Sequence, residues 1–221
     1  MNVTFEIVKN SPEIRTYITQ ADASLTALGF TEHSFAHVTK CAEVAARILT
    51  QLGYSPKEVE LAKIAAFMHD IGNVVNRHDH AISGATMAFR ILDKMGMEPA
   101  DVAAVITAIG HHDDSTAFPV NAVAAALILA DKTDVRRSRV RNKDMATFDI
   151  HDRVNYSVER SEVLLDVPGQ NRRLPDHRGL ECRDAEEFQT LPDHLEERPT
   201  DRPFSLPPRG CAAPAAALDL T

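Results

Sequence analysis

Residues 123–135 read VAAALILADKTDV, a stretch that is apolar on nearly every side of a helix and then carries a carboxylate at Asp131. A helix without a polar face has to be enclosed by other elements, so this one is expected at the centre of the molecule, with further helices around it. Asn121 stands where its N-cap belongs. A carboxylate in such a segment is costly to bury unless it is paired or holds a metal. Two ordinary partners are near in sequence: Lys132, and the cluster Arg136, Arg137, Arg139 and Arg141. With 44% hydrophobic and 25% charged residues in 221, the chain has apolar material enough for one core.

The neighbouring segments supply the surrounding helices. Val38, Cys41, Ala45, Ile48, Leu49 and Leu52 step by three or four, and Gly53 stands at the C′ position. Ser55-Pro56-Lys57-Glu58 reads as N-cap, N1 proline and capping-box glutamate. The helix it opens carries Val59, Ala62, Ala65, Ala66 and Phe67 and stops by Gly72. Another is expected from Ala81 to Met95, closed by Gly96, and a further one opens at Pro99 and runs to about Gly110. Asp149 is placed to cap a last helix reaching Leu165, and Val3–Ile7 reads as a short strand. The expectation is an all-α helical bundle over residues 1–165.

The chain changes character after Leu165. Pro12, Pro56, Pro99 and Pro119 precede that point, and the other eight of the 12 prolines follow it. Residues 166–221 contain no Ile, Met, Tyr or Lys, and no apolar period survives there between prolines. A disordered Pro/Arg/Ala-rich tail is expected. The missing residue types have AT-rich codons and the abundant ones GC-rich codons, the composition of a shifted reading frame in a GC-rich gene.

Several functional classes are disfavoured by composition. A net charge of -8 argues against a general nucleic-acid binder. Cys41, Cys182 and Cys211 lie far apart without a CxxC pair, which disfavours a disulfide scaffold or zinc finger. The chain has no apolar run of membrane length, and Glu6 stands where a signal peptide needs an apolar core. A reducing, cytoplasmic location without a membrane partner is the expectation. The nine glycines form no phosphate-binding loop of either common pattern.

Ten histidines remain to be explained. His33, His78, His151, His177 and His194 show no partner in the sequence and read as surface residues. His37, His69, His80, His111 and His112 fall at turns or ends of the expected helices, beside apolar runs, and Asp70 follows His69 directly. A lone histidine there is more often structural; the joint pattern with Asp70 and Asp131 points to metal. Imidazole and carboxylate together suit Mn, Fe, Co, Ni or Zn better than Mg or Ca. Adjacent side chains diverge by about 100° in mid-helix, but at a helix end the backbone can turn both toward one site. Asp70 could then place one oxygen on each of two ions. Two divalent ions less two carboxylates leave roughly two positive charges, which favours an anionic substrate and acidifies a bound water. Arg136 and Arg137 are candidates for a phosphate clamp, and Lys132 for substrate binding or for pairing with Asp131. Asp113 and Asp114 read as a general base or as loop caps.

These residues resemble the signature of the HD-domain superfamily of metal-dependent phosphohydrolases. AFMHDIGN is similar to its apolar-apolar-His-Asp-Ile-Gly segment, HAISGATMAFRIL to its His-x-x-x-Gly helix, AIGHHDD to its second histidine site, and ALILADKTD to its Asp-bearing helix. The resemblance runs from about His33 to Asp134. It implies a first metal on His37, His69, Asp70 and Asp131, and a second on Asp70, His80 and one or both of His111 and His112. Asp70 and Asp131 would thereby be the catalytic carboxylates. It implies hydrolysis of a nucleotide or another small phosphate ester. It leaves open a di-iron oxygenase with the same ligands, and a metal-bearing regulatory module without turnover. Homo-oligomerisation is also open. Two departures bear on substrate: Asn73 stands where many relatives have Lys, and no Gly-Tyr-Pro follows His111-His112, unlike the cyclic-di-GMP phosphodiesterases.

Overall fold

A computed structural model describes residues 3–113, 117–159, 161 and 163. The described residues form eight α-helices and three short 3-10 turns, with no strand among them. The helices are α1 (Phe5–Asn10), α2 (Pro12–Ala27), α3 (Phe35–Gln51), α4 (Pro56–Met68), α5 (His80–Lys94), α6 (Pro99–Gly110), α7 (Ala122–Thr133) and α8 (Ile150–Ser157).

Most starts follow from local chemistry. Ser11, Ser34, Asn121 and Asp149 each accept a first-turn N–H, and proline occupies the first turn of α2, α4 and α6. Ser55 and Glu58 form the expected reciprocal capping box. The expected strand at Val3–Ile7 is instead the entry to α1. Thr4 caps that helix, and its spacing buries Val3 and Val8, so the β-branched residues serve a helical stripe rather than a sheet face. Helix α8 also ends earlier than expected, at Ser157. Val158 is extended and buried, and the Ser161 hydroxyl donates to the Thr133 carbonyl at 2.7 Å, so the chain leaves the helix to follow the end of α7.

Two helices lie inside the others. In α7, Val123 to Ile128 and Ala130 are buried; in α4, Leu61, Ala62 and Ile64 to Met68 are buried. They pack on each other and both pack on α3 and α6, while α5 covers α6. Alanines at 62, 65, 66, 124, 125, 126 and 130 let the backbones approach closely. The C-terminal ends of both central helices point chemistry at one region: His69 and Asp70 follow α4, and Asp131 lies in the last turn of α7.

The turn after α4 is held by a glycine contact. A Cβ on Gly72 would lie 2.0 Å from the His80 carbonyl oxygen and 2.5 Å from the Gly84 nitrogen. Only glycine permits this approach of the 3-10 turn Ile71–Val74 to α5. It fixes His80 relative to Asp70. No helix among the described residues is long and apolar enough to cross a membrane. The tail expected at 166–221, and with it the frameshift reading, lies outside the described residues.

Candidate metal centre

Four helix ends and the first turn of α3 deliver the site. His37, His69, His80 and His112 are all buried, with exposures of 0 to 3%, and Asp70 is 5% exposed. Each imidazole has its Nδ1 committed. His69 bonds the Ala66 carbonyl at 2.7 Å, His112 the Ile109 carbonyl at 2.6 Å and His80 the Arg77 carbonyl at 3.1 Å; His37 bonds the Asp134 carboxylate at 2.8 Å. These oxygens can only accept, so each Nδ1 carries the proton and a neutral ring leaves its Nε2 lone pair free.

Those lone pairs face one another. His37 Nε2 lies 3.3 Å from His69 Nε2, and His80 Nε2 lies 3.2 Å from His112 Nε2. The carboxylates add further acceptors. Asp70 Oδ2 is 3.1 Å from His69 Nε2 and 3.6 Å from His37 Nε2, and Asp131 Oδ1 is 3.2 Å from His37 Nε2. The other Asp70 oxygen, Oδ1, faces His80 Nε2 at 3.6 Å and His112 Nε2 at 4.0 Å. Asp70 Oδ2 is buried without a hydrogen-bond partner. A buried cluster of lone pairs with too few donors is repulsive unless a cation sits among them. Two donor groups, His37-His69-Asp70 and Asp70-His80-His112, have the closeness a metal ion requires and share Asp70.

Charge in the metal-free cluster follows the same logic. Burial disfavours a charged His69, yet Asp70 and Asp131 against its ring raise its pKa to about 10. A proton there supplies the missing positive charge. Burial lowers the pKa of His80, and that of His112 to about 4, so both stay neutral. Burial opposes ionisation of Asp70 and Asp131, but the histidines hold both carboxyls well below the usual range.

Not every residue singled out from sequence joins this cluster. His111 turns away: its Nδ1 bonds the Thr107 carbonyl at 2.9 Å, and only His112 of the pair meets Asp70 and His80. Consecutive residues at the end of α6 project in different directions, so one of them is excluded. Arg136 and Arg137 are not a clamp over the site. The chain bends at Asp134, and Arg136 bonds Asp134 at 3.1 Å and Glu32 at 2.7 Å. Arg137 bonds the Tyr156 carbonyl at 2.8 Å and lies over that ring. Lys132 contacts Asp131 Oδ2 at 2.7 Å, at the rim of the site. Cys41 packs on His37, but burial first, then the nearby carboxylates, raise its thiol pKa far above the ordinary value. Its Sγ still lies close to His37 and Asp131, so it forms a third, sulfur-bearing donor group beside the other two. Asp114 lies outside the described residues.

The structure also shows functional neighbours that the sequence reading passed over. Asp134 is 1% exposed and accepts from His37, with Lys40 and Arg136 completing its shell. It is a second-layer carboxylate of the kind that orients a ligating histidine. Its place in ALILADKTD was visible; its pairing with a residue 97 positions away was not. Asn73 donates to Asp70 Oδ1 at 2.9 Å. His33, read as a surface residue, lies edge-on to His37 with ring centroids 5.5 Å apart, and its Nδ1 bonds the Thr31 carbonyl at 2.7 Å. Burial lowers its pKa to about 4.

Above the cluster opens a cavity of about 340 Å³. It is lined by Asp70, His80, His112 and Asp131, by the charged Arg77, Lys132, Asp113 and Arg139, of which Arg139 is committed to the Glu32 and Asp134 carbonyls, and by the apolar Phe30, Ile150 and Val154. That volume lies in the range that takes a small organic ligand.

The HD domain family matches residues 34–138. Among solved structures the chain is similar to a protein described as a predicted HD superfamily hydrolase from an uncultured Thermotogales bacterium. The identity is 25% over 58% of this chain and 72% of that one, with a TM-score of 0.42. No curated protein matches the chain.

Proposed function

We propose that this chain, whose residues 34–138 match the HD domain family, is a metal-dependent hydrolase of small phosphate esters, nucleotides among them, using two divalent transition-metal ions. The convergence of four Nε2 atoms on the two oxygens of Asp70, where Asp70 Oδ2 has no partner until a proton or a cation enters the cluster, carries this reading. His37, His69, Asp70 and Asp131 would hold one ion, and Asp70, His80 and His112 the other. When bound, such a pair acidifies a coordinated water and polarises a phosphoryl oxygen, which is the chemistry of ester hydrolysis.

The chain's own residues prepare that chemistry. Asn73 fixes the rotation of the Asp70 carboxylate, so its two oxygens stay divided between the two histidine pairs. The four Nδ1 bonds hold the rings in the tautomer that ligates. Asp134, anchored by Lys40 and Arg136, strengthens His37 as a donor. Asp113 Oδ1 lies 3.8 Å from His80 Nε2 at the cavity wall, where it can accept a proton from an attacking water. The apolar residues Phe30, Ile150 and Val154 in the lining give a base or another flat group something to pack on.

Protein purified without chelator, saturated in turn with Mn, Co, Ni or Fe and offered a panel of phosphomonoesters and nucleotides, tests this. Metal-dependent release of phosphate is expected with at least one ion. Iron-dependent oxygen consumption without phosphate release would overturn the hydrolytic reading, as would tight metal binding with no turnover.

A further inference from the structure

With Arg136 and Arg137 spent on Glu32, Asp134 and Tyr156, the cavity takes its positive charge from elsewhere. Arg77 lines it half-buried, between α5 and the turn that follows α4. Its guanidinium carbon stands 5.5 Å from the centre of the Phe30 ring, a cation–π distance. Only Nη1 finds acceptors among the described residues: Asn73 Oδ1 at 3.3 Å and His80 Nε2 at 3.4 Å. Nε and Nη2 have none. Asn73 thus joins two tasks, since its amide nitrogen donates to Asp70 while its oxygen accepts from Arg77.

The contact with His80 is conditional. His80 Nδ1 is tied to the Arg77 carbonyl, so Nε2 has one lone pair to offer. That pair can serve either Arg77 or a metal ion. Once it serves an ion, Nη1 loses half of its support. The guanidinium then keeps the Asn73 oxygen and the Phe30 face, and its remaining N–H groups are available to a ligand in the cavity that Arg77 lines.

We infer that Arg77 is the oxyanion receptor of this site, binding two oxygens of a tetrahedral phosphate in the cavity once His80 has turned its lone pair to a metal. The inference rests on the two-metal reading above and deepens it. Lys132 is the weaker candidate, because it is exposed and held by Asp131 at 2.7 Å, and an ammonium lacks the paired donors that match two oxygens.

The test uses the full chain, Mn2+ and inorganic phosphate. Calorimetry first measures Mn2+ binding, then phosphate binding to the Mn-loaded protein, for wild type, Arg77→Gln and Arg77→Lys. Loss of a charge-assisted pair should weaken phosphate by about ten- to hundredfold in Arg77→Gln, with partial recovery in Arg77→Lys. Mn2+ should bind Arg77→Gln as tightly as wild type or more tightly, because a cation next to His80 has been removed. That opposite movement is the signature a merely structural arginine would not give. Equal phosphate affinity in wild type and Arg77→Gln would overturn the inference and leave the metal reading standing. Parallel loss of Mn2+ and phosphate would make Arg77 a scaffold residue and overturn it too. If Mn-loaded wild type binds no phosphate, the hydrolytic reading falls and takes this one with it.

Discussion

The two halves of the proposed metal centre are built differently. The half made by His37, His69 and Asp131 lies among α3, α4 and α7, the helices of the core, and its second layer is partly ionic: the Ala66 carbonyl holds His69, but Asp134 holds His37, and Lys40 and Arg136 hold Asp134. The half made by His80 and His112 sits at the ends of α5 and α6, and backbone carbonyls hold its imidazoles. Its position depends on the Gly72–Gly84 approach, and Arg77 and Asp113 border it. Asp70 belongs to both. A core-embedded half can be damaged through charge, whereas a docked half can be damaged through backbone contact.

The largest effect should come from the shared residue. Asp70→Ala removes an oxygen from each donor group, so both ions should be lost and activity should fall on the order of a thousandfold. The apolar core does not involve Asp70, so helicity by circular dichroism should survive. Full metal occupancy in this variant would show that the two halves do not meet at Asp70.

Gly72→Ala should separate the halves. Its Cβ would stand 2.0 Å from the His80 carbonyl, so α5 must shift away from the turn. The strain should cost about 3 kcal/mol in denaturant unfolding, at the upper end for overpacking, because backbone rather than a side chain has to move. The ion at His80 and His112 should be lost while the one at His37 and His69 stays. Loss of both together would mean that the halves stand or fall as one unit.

Asp134→Asn probes the ionic second layer. An orienting carboxylate typically contributes ten- to a hundredfold in metal affinity, so the first ion should weaken by about that factor and the second should not. Competition with a fluorescent chelator measures both. Equal weakening of the two would place Asp134 in general stability rather than behind His37.

How far these residues were legible depends on how local their partners are. His37, His69-Asp70, His80 and Asp131 could be picked out because helix caps and stops put them at element ends, and caps are written in neighbouring residues. Asp134 and Arg136 could not, since their partners His37 and Glu32 come from the other end of the fold. Arg136 and Arg137 misled for the same reason: nearness to Asp131 in sequence says nothing once the backbone bends at Asp134. Arg77 sits in a turn whose path depends on Asp79 at φ 57, a left-handed residue that no periodicity announces. Val3–Ile7 looked like a strand because β-branched residues suit either state when only a few are present.

Protonation gives a finer separation of the halves. In the metal-free protein His69 has its pKa raised to about 10, whereas His80 and His112 have theirs lowered. A raised histidine stabilises the folded chain fully below its ordinary value of about 6.5, and that contribution is lost as pH climbs through about 10. At pH 7.5 metal loading has to displace this one proton. Calorimetry in two buffers of different ionisation enthalpy should therefore report about one proton released per chain, from the first half alone, and apparent affinity should rise with pH below about 10. Release of none would contradict the protonation of His69.

The division of the centre into two halves joined at Asp70 is tested most directly by counting ions. After saturation with Mn2+ and removal of excess by gel filtration, elemental analysis should find two ions per wild-type chain and one per His80→Ala chain. A single ion in the wild type, or two retained after His80→Ala, would contradict it.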